Sequence, residues 1–293
     1  MLGVNGLTRR FGDNLAVDGV TFEVPAGAMT GFVGGNGAGK TTTMRMIMGV
    51  LQPTAGTVTW AGREVTVADR RTFGYMPEER GLYPKQPILD QLVYLGRLQG
   101  RSAAGASQTA LELLDRFGLG ERTSDKLESL SLGNQQRVQI AAAVIGEPGF
   151  LVLDEPFSGL DPAAVDSMVD LLREHTTRGV PVLFSSHQLD LVERLCDQLV
   201  VLARGRVVST GTVSELRSRG RVLHRLVVGG DAGWVRALPG VHVVDVDGPA
   251  ALLELEGPGS TDLVLREAMA RGSVSELARV VPSLSDIYRE VTS

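Results

Sequence analysis

The stretch Gly34–Thr41 reads GGNGAGKT and fits the pattern G-x-x-x-x-G-K-[ST]. A short apolar run, Met29–Val33, precedes it. Lys40–Leu51 follows with helical character and stops before Pro53. Strand, glycine-rich loop and helix form the local arrangement that this pattern requires. Gly34, Gly35, Gly37 and Gly39, with Asn36 and Ala38 among them, let backbone N–H groups turn inward around phosphate oxygens. The helix that follows aims its positive N-terminus at the same anion. Lys40 reaches the β- and γ-phosphates as a point charge, Thr41 offers a hydroxyl to Mg²⁺, and Thr42 belongs with them to the expected nucleotide-binding residues. The bland alternative is a chance glycine-rich turn. The flanking strand and helix argue against it, as does a lysine in a chain whose other lysines are only Lys85 and Lys126.

Working outward, Val20–Val24, Gly56–Trp60 and Thr72–Met76 read as strands, and Ile88–Gly118 turns helical, with Leu92, Leu95, Leu98, Leu111 and Leu114 at helical spacing. Gln135–Ile145 reads as another helix, and Pro162 suits the first turn of one running towards Arg178. Phe150–Leu153 is apolar throughout, as a buried parallel strand is, and Val180–Phe184 and Gln198–Leu202 read as two more buried strands. The alternation predicts a doubly wound α/β core with a helical insert over about 85–148. In FLVLDEP, Phe150–Pro156, an apolar strand delivers two acids at its C-terminal end, where α/β ligands bind. Asp154 is suited to hold Mg²⁺ through water and Glu155 to orient and polarise an attacking water. Alone, such a pair is more often a solvated loop; with the phosphate loop upstream it points to ATP and Mg²⁺ as ligands.

The chain has 293 residues, which gives about two domains at ~150 residues each. Apolar residues make up 43%, enough for a sizeable core, and a net charge of -5 lacks the basic surplus of a nucleic-acid binder. A single cysteine, Cys196, excludes a disulfide framework within the chain and reads as a small buried side chain. The N-terminus MLGVNGLTRRFGD has no secretory pattern, and the Gly-rich run Val24–Gly39, broken by Pro25, is no spanning helix. A membrane role is therefore expected to come through a partner.

LESLSLGNQQRV, Leu127–Val138, resembles the signature motif of ABC ATPases, and the resemblance covers residues 1 to about 210 with the family's motifs in order. It implies a P-loop NTPase cassette with a helical subdomain, and a head-to-tail dimer in which the signature of one cassette caps ATP held by the other. Ser131 and Gly133 match the donors to the γ-phosphate, with a helix dipole behind them. Leu132 and Asn134 depart from the usual LSGGQ, which bears on capping strength. Phe11 matches the aromatic that stacks on adenine; a core phenylalanine is its alternative. Asp161, in SGLDP, matches the loop crossing the dimer interface; a plain helix-start acid is its alternative. His187, in FSSHQ, matches the histidine that contacts the γ-phosphate. Glu78 stands where the family usually has glutamine, the residue that senses Mg²⁺ and the γ-phosphate and links them to the membrane partner; a solvated loop acid is its alternative. His175, His224 and His242 match nothing.

Composition shifts after Ala203: Arg204–Arg225 holds six arginines and one acid, and Leu226–Asp262 six acids and one arginine. The arginine-rich stretch suits a solvated linker or anionic lipid headgroups. Leu223–Val228, Val241–Val246 and Ala251–Leu255 read as strands, and Thr261–Ala270 and Leu284–Val291 as helices. This gives domains 1–211 (ATPase) and 212–293 (a small accessory α+β domain). The PSLSDIYREV ending is similar to the accessory domain of cassettes serving drug- or sodium-efflux exporters. The resemblance implies the ATPase subunit of an exporter, peripheral on the cytoplasmic face of a bacterial membrane. Its partners would be separate transmembrane permease subunits and a second copy or a paralogous cassette, with no nucleic acid. Glu79–Arg97, exposing Leu82, Tyr83 and Pro84, is the expected permease-docking segment. A soluble ABC protein acting on ribosomes or DNA is the rival. Against it, the chain has one phosphate loop, and the 114 positions from Lys40 to Asp154 hold no sustained heptads. A non-catalytic cassette is opposed by intact Lys40, Asp154, Glu155 and His187.

Overall fold

The structure is a computed structural model that describes residues 1–79, 81–219, 222–280 and 283–292. Arg80 of the expected docking segment, Arg221 of the arginine-rich stretch and Pro282 of the C-terminal motif lie outside the described residues. The chain divides into two compact units, Met1–Val213 and Ser214–Val291.

The first unit opens with β1 (Leu2–Phe11) and β2 (Asn14–Val24), an antiparallel pair whose register brings Phe11 opposite Asn14. Only the second half of β2 is legible as a strand. Register shifts after Val4, Leu7 and Arg9 break the simple alternation of β1. β3 (Met29–Val33) then runs fully buried into the glycine loop, and α1 (Lys40–Ile47) leaves it. That helix ends four residues before the expected Leu51. Gly49 takes a φ of 72°, and the N–H groups of Val50 and Leu51 both fold back onto the Arg45 carbonyl. β4 (Ala55–Trp60) and β5 (Arg63–Glu64) extend the antiparallel sheet to the order β2-β1-β4-β5. A short capped helix, α2 (Val67–Arg70), leads to β6 (Phe73–Met76).

The helical insert contains α3 (Ile88–Leu98), α4 (Ala103–Arg116) and α5 (Leu132–Val144). Ile88, Leu92, Ala106, Ala110 and Leu114 face inward. Leu98 and Leu111, which share the helical periodicity, are exposed. The chain then completes the main sheet with β7 (Phe150–Leu153), α6 (Pro162–Thr177), β8 (Val182–Ser186), α7 (Leu189–Leu195), β9 (Gln198–Ala203) and β10 (Arg206–Gly211). Its order is β10-β9-β3-β8-β7-β6, with every pairing parallel except that of β10 with β9. Strands of one direction open at one edge. The C-terminal ends of β3, β9, β8, β7 and β6 therefore deliver the glycine loop, Arg204, His187, Asp154–Glu155 and Glu78 to the same edge. Leu7, Val17, Phe32, Met44, Ile47, Phe150 and Val152 share one core between the two sheets, which holds that edge rigid. Cys196 packs against Gly31, where an added Cβ would stand 2.6 Å from its sulfur, and burial pushes its thiol far above the usual range.

In the second unit, β11 (Leu223–Val228), β12 (Val241–Asp247), β13 (Ala250–Leu255) and β14 (Val274–Val280) form an antiparallel sheet of order β12-β13-β11-β14. Leu226, Leu253, Val235, Val264 and Ala268 make its core; the last two come from α8 (Pro258–Arg271). β14 carries no clear strand pattern in its sequence, because VSELARV has three polar residues and no strict alternation of polar and apolar positions.

Candidate functional site

The glycine loop is shaped by positions that tolerate no side chain. Gly37 and Gly39 have φ values of 76° and 103°, in the left-handed region. An added Cβ at Gly34 would stand 2.7 Å from the Leu202 carbonyl oxygen, and one at Gly39 2.9 Å from that of Ala16. Gly39 precedes α1 with no side-chain cap and no acid in the first turn, so the helix's N-terminal N–H groups carry their positive end undiminished. Lys40 is buried, and its ammonium donates to the carbonyls of Gly34 at 2.6 Å and Gly35 at 3.3 Å. The lysine is thus folded over its own loop.

The ends of β6, β7 and β8 face this loop. Asp154 is 1% exposed. Its Oδ1 accepts the Ser185 hydroxyl at 2.5 Å, and its Oδ2 is buried with no protein partner. Burial pushes its carboxyl above the usual carboxylate range, against the pull of the Ser185 hydroxyl. The same Ser185 oxygen accepts the Glu155 N–H at 2.8 Å. Glu155 has φ 51°, left-handed for a non-glycine residue, and its Oε2 lies 2.9 Å from His187 Nδ1. Gln136 of α5 donates to the carbonyls of Glu155 and Pro156 at 3.0 and 3.1 Å, tying the signature helix to the acidic turn. The Thr41 hydroxyl donates to Glu78 Oε2 at 3.2 Å, so Glu78 faces the loop as part of the site.

Lys40, Thr41, Glu78, Asp154 and Glu155 line one cleft of about 690 Å³, while Ser185, His187 and Gln136 hold the acids from behind and are not among its walls. Its walls include Gly35 to Thr42, Glu78, Asp154 and Glu155, and at its other end Phe11, Asn14, Leu15 and Ala16. Phe11 is 46% exposed, which removes the core reading. The Arg9 guanidinium lies 4.6 Å from its ring centroid and covers one face. The donor set fits Mg²⁺: the orphaned, buried Asp154 Oδ2 and the Thr41–Glu78 oxygens are hard ligands, few enough to leave positions for water and phosphate. Among the described residues no cluster of three or more His, Cys, Asp or Glu forms a self-sufficient metal cage.

Ser131, Gly133 and Asp161 are absent from this cleft. They sit together elsewhere on the first unit. An added Cβ at Gly133 would stand 3.4 Å from Leu160, and one at Gly159 3.2 Å from Leu132, which is 53% exposed. Ser131 caps α5, and Asp161 caps α6 by accepting the Ala164 N–H at 2.8 Å. Within one chain, then, these residues have helix-start roles and no contact with the phosphate loop. Ser185, Gln136, Arg9 and Arg204 escaped the sequence reading. Only the serine had a signal, its place in FSSHQ.

Residues 17–158 match the family described as ABC transporter, and residues 211–292 match the C-terminal domain of DrrA1-3-like ATP-binding proteins. The uncharacterized ABC transporter ATP-binding protein YhaQ of Bacillus subtilis is 38% identical over 99% of this chain and 98% of its own length. The chain belongs to the ABC transporter ATP-binding proteins. The cassette is also 39% identical, over 73% of this chain and 66% of the relative, to the daunorubicin/doxorubicin resistance ATP-binding protein DrrA of Streptomyces peucetius. A solved structure described as the ATP-binding subunit of an ABC transporter superposes on the cassette with TM-score 0.69 at 34% identity, covering 75% of this chain and 92% of the other. A dimeric ATP-binding cassette bound to ADP and Pi shares the fold, with TM-score 0.66 at 21% identity over 73% of this chain and 99% of that one. The P-loop NTPase architecture with its helical subdomain is therefore that of an ABC cassette, from a family of ATP-hydrolysing proteins. Among the described residues no helix is long and apolar enough to cross a membrane.

Proposed function

We propose that this ABC ATP-binding subunit hydrolyses MgATP to drive an exporter through separate permease subunits, with residues 1–211 as the ATPase domain and 212–293 as an accessory domain. The observation that carries the reading is Glu155, which lines one cleft with Lys40 and Thr41 and whose carboxylate meets His187 just beyond the end of the neighbouring parallel strand. Phe11 offers its free face to adenine, and residues 34–42 cradle the phosphates. Mg²⁺ held by Thr41, Asp154 and Glu78 would neutralise charge on the β- and γ-phosphates. Glu155 accepts the proton of the water whose oxygen bonds the γ-phosphorus, as the bond to the β–γ bridging oxygen breaks and ADP leaves with those electrons. His187 orients the Glu155 carboxylate and donates towards the γ-phosphate. Ser131, Gly133 and Asp161, remote from the cleft of their own chain, act on the nucleotide of a second cassette. This division supports a head-to-tail dimer. The export direction rests on DrrA-type relatives and on the matched C-terminal domain. The permease would recruit the subunit to the cytoplasmic face of the membrane. Its docking site is the exposed Tyr83 loop, which Gln91 pins through three hydrogen bonds to Tyr83 and Gln86.

The test is Glu155→Gln. It should keep ATP binding, lose roughly 10²–10⁴-fold in turnover and accumulate as an ATP-bound dimer. Adding Ser131→Arg should return that dimer to monomer on light scattering. Wild-type turnover in Glu155→Gln would sink the catalytic assignment.

A further inference from the structure

β9 and β10 are joined by two residues, Arg204 and Gly205, between the paired Ala203 and Arg206. Both have positive φ, 50° and 78°, as a type I′ hairpin turn requires. Asn, Asp or Gly is favoured at the first of these positions, so a long cationic side chain sits there against its backbone preference. Among the described residues four non-glycine residues hold a positive φ, and two of them, Glu155 and Arg204, line the same cleft. The turn is locked in place. Gly205 N–H donates to the Ala38 carbonyl at 3.1 Å, and its carbonyl accepts the Asp18 N–H at 2.8 Å. A Cβ on Gly205 would stand 2.8 Å from the Ala16 oxygen, and Arg206 pairs with Asp18 at 2.7 Å. Arg204 is exposed and, unlike Arg206, has no hydrogen-bond or ion-pair partner among the described residues.

The cleft holds three carboxylates, Glu78, Asp154 and Glu155, against two cations, Lys40 and Arg204. Lys40 sits at the glycine loop, where the distal phosphates lie. Gly205, beside it in the turn, is anchored to Ala16 and Ala38, between the Phe11–Leu15 wall and the start of α1. We infer that Arg204 is a second cationic contact for the nucleotide, made at its ribose–α-phosphate end and independent of the base and the γ-phosphate. The inference rests on the cleft being the ATP site.

The test is equilibrium binding of ATP, ADP and GTP, with Mg²⁺, to the full chain as wild type, Arg204→Ala, Arg204→Gly, Arg204→Lys and Lys40→Ala. Loss of a charge-assisted contact should weaken Arg204→Ala and Arg204→Gly about 5- to 30-fold, by the same factor for all three nucleotides. Arg204→Lys should retain most of the affinity, and the loss should shrink at high salt. Arg204→Gly should melt at or above the wild-type temperature, because glycine relieves the positive φ, so its lost affinity does not come from misfolding. Arg204 variants within twofold of wild type beside a weakened Lys40→Ala would overturn this inference and leave the ATP site standing. Wild type without ATP binding would overturn both. A loss confined to ATP over GTP, or to ATP over ADP, would place the contact at the base or the γ-phosphate and refute the assignment made here.

Discussion

Replacing Ser185 with alanine removes one hydroxyl that serves two neighbours. Its oxygen accepts the Glu155 N–H and its proton goes to Asp154 Oδ1. The variant leaves a backbone donor without an acceptor, typically ~1–3 kcal/mol when buried, and strips a bond to a carboxylate worth ~1.5–3 kcal/mol. Because the cleft lets water reach part of this region, the expected loss is about 3 kcal/mol. That loss should appear in the unfolding of the first unit by urea, followed with a probe specific to it, since a two-unit chain need not unfold in one step. Part of the deficit is electrostatic and so depends on pH. Burial raises the Asp154 carboxyl above its usual value, and the Ser185 hydroxyl is the strongest pull in the other direction. The substitution therefore raises it further. A carboxyl that titrates higher in the folded chain than in the unfolded one favours folding below its unfolded pKa. It loses that contribution as pH rises through the folded value. The deficit of Ser185→Ala relative to wild type should accordingly grow from acidic to neutral pH. It should also shrink in an Asp154→Asn background, where no charge remains. Turnover should fall about 10- to 100-fold as Glu155 loses its backbone anchor. A wild-type midpoint, or a deficit identical at pH 5 and pH 7.5 and in the Asp154→Asn background, would refute the shared-hydroxyl account.

Two further outcomes test the outer parts of the site. Phe11→Ala should weaken ATP binding by the ~1–3 kcal/mol typical of base stacking, while Phe11→Tyr stays within twofold. Neither should lower the melting temperature, because the ring is half-exposed; a drop in melting temperature with unchanged affinity would restore a packing role. Tyr83→Ala should reduce copurification with a permease and spare basal ATPase activity, because the residue is 62% exposed and its loop is held through backbone groups by Gln91. Full pull-down with intact transport would remove the docking segment.

The sequence by itself determined the parts of this protein whose chemistry is local. A phosphate loop needs glycines where φ is positive and a helix directly after a strand; all of that lies within Met29–Ile47. The same holds for Phe150–Glu155, where a run without polar residues has to be buried and its two acids have to emerge where it ends. Signals failed where geometry and periodicity part company. β1 went unread because its register shifts hide the alternation. Leu92 and Leu98 both fit a helical reading of the sequence, yet Leu92 is buried and Leu98 is exposed, since burial depends on what packs opposite. The tertiary structure alone decided which distant residues share the cleft. Parallel strands need long crossovers, so Ser185, Glu155 and Gln136 meet although 19 to 30 positions separate each contacting pair. Arg204 looked like one arginine of a basic stretch. It became a wall of the cleft because β9 lies beside β3 in the sheet, so the turn that ends β9 closes over the loop that ends β3.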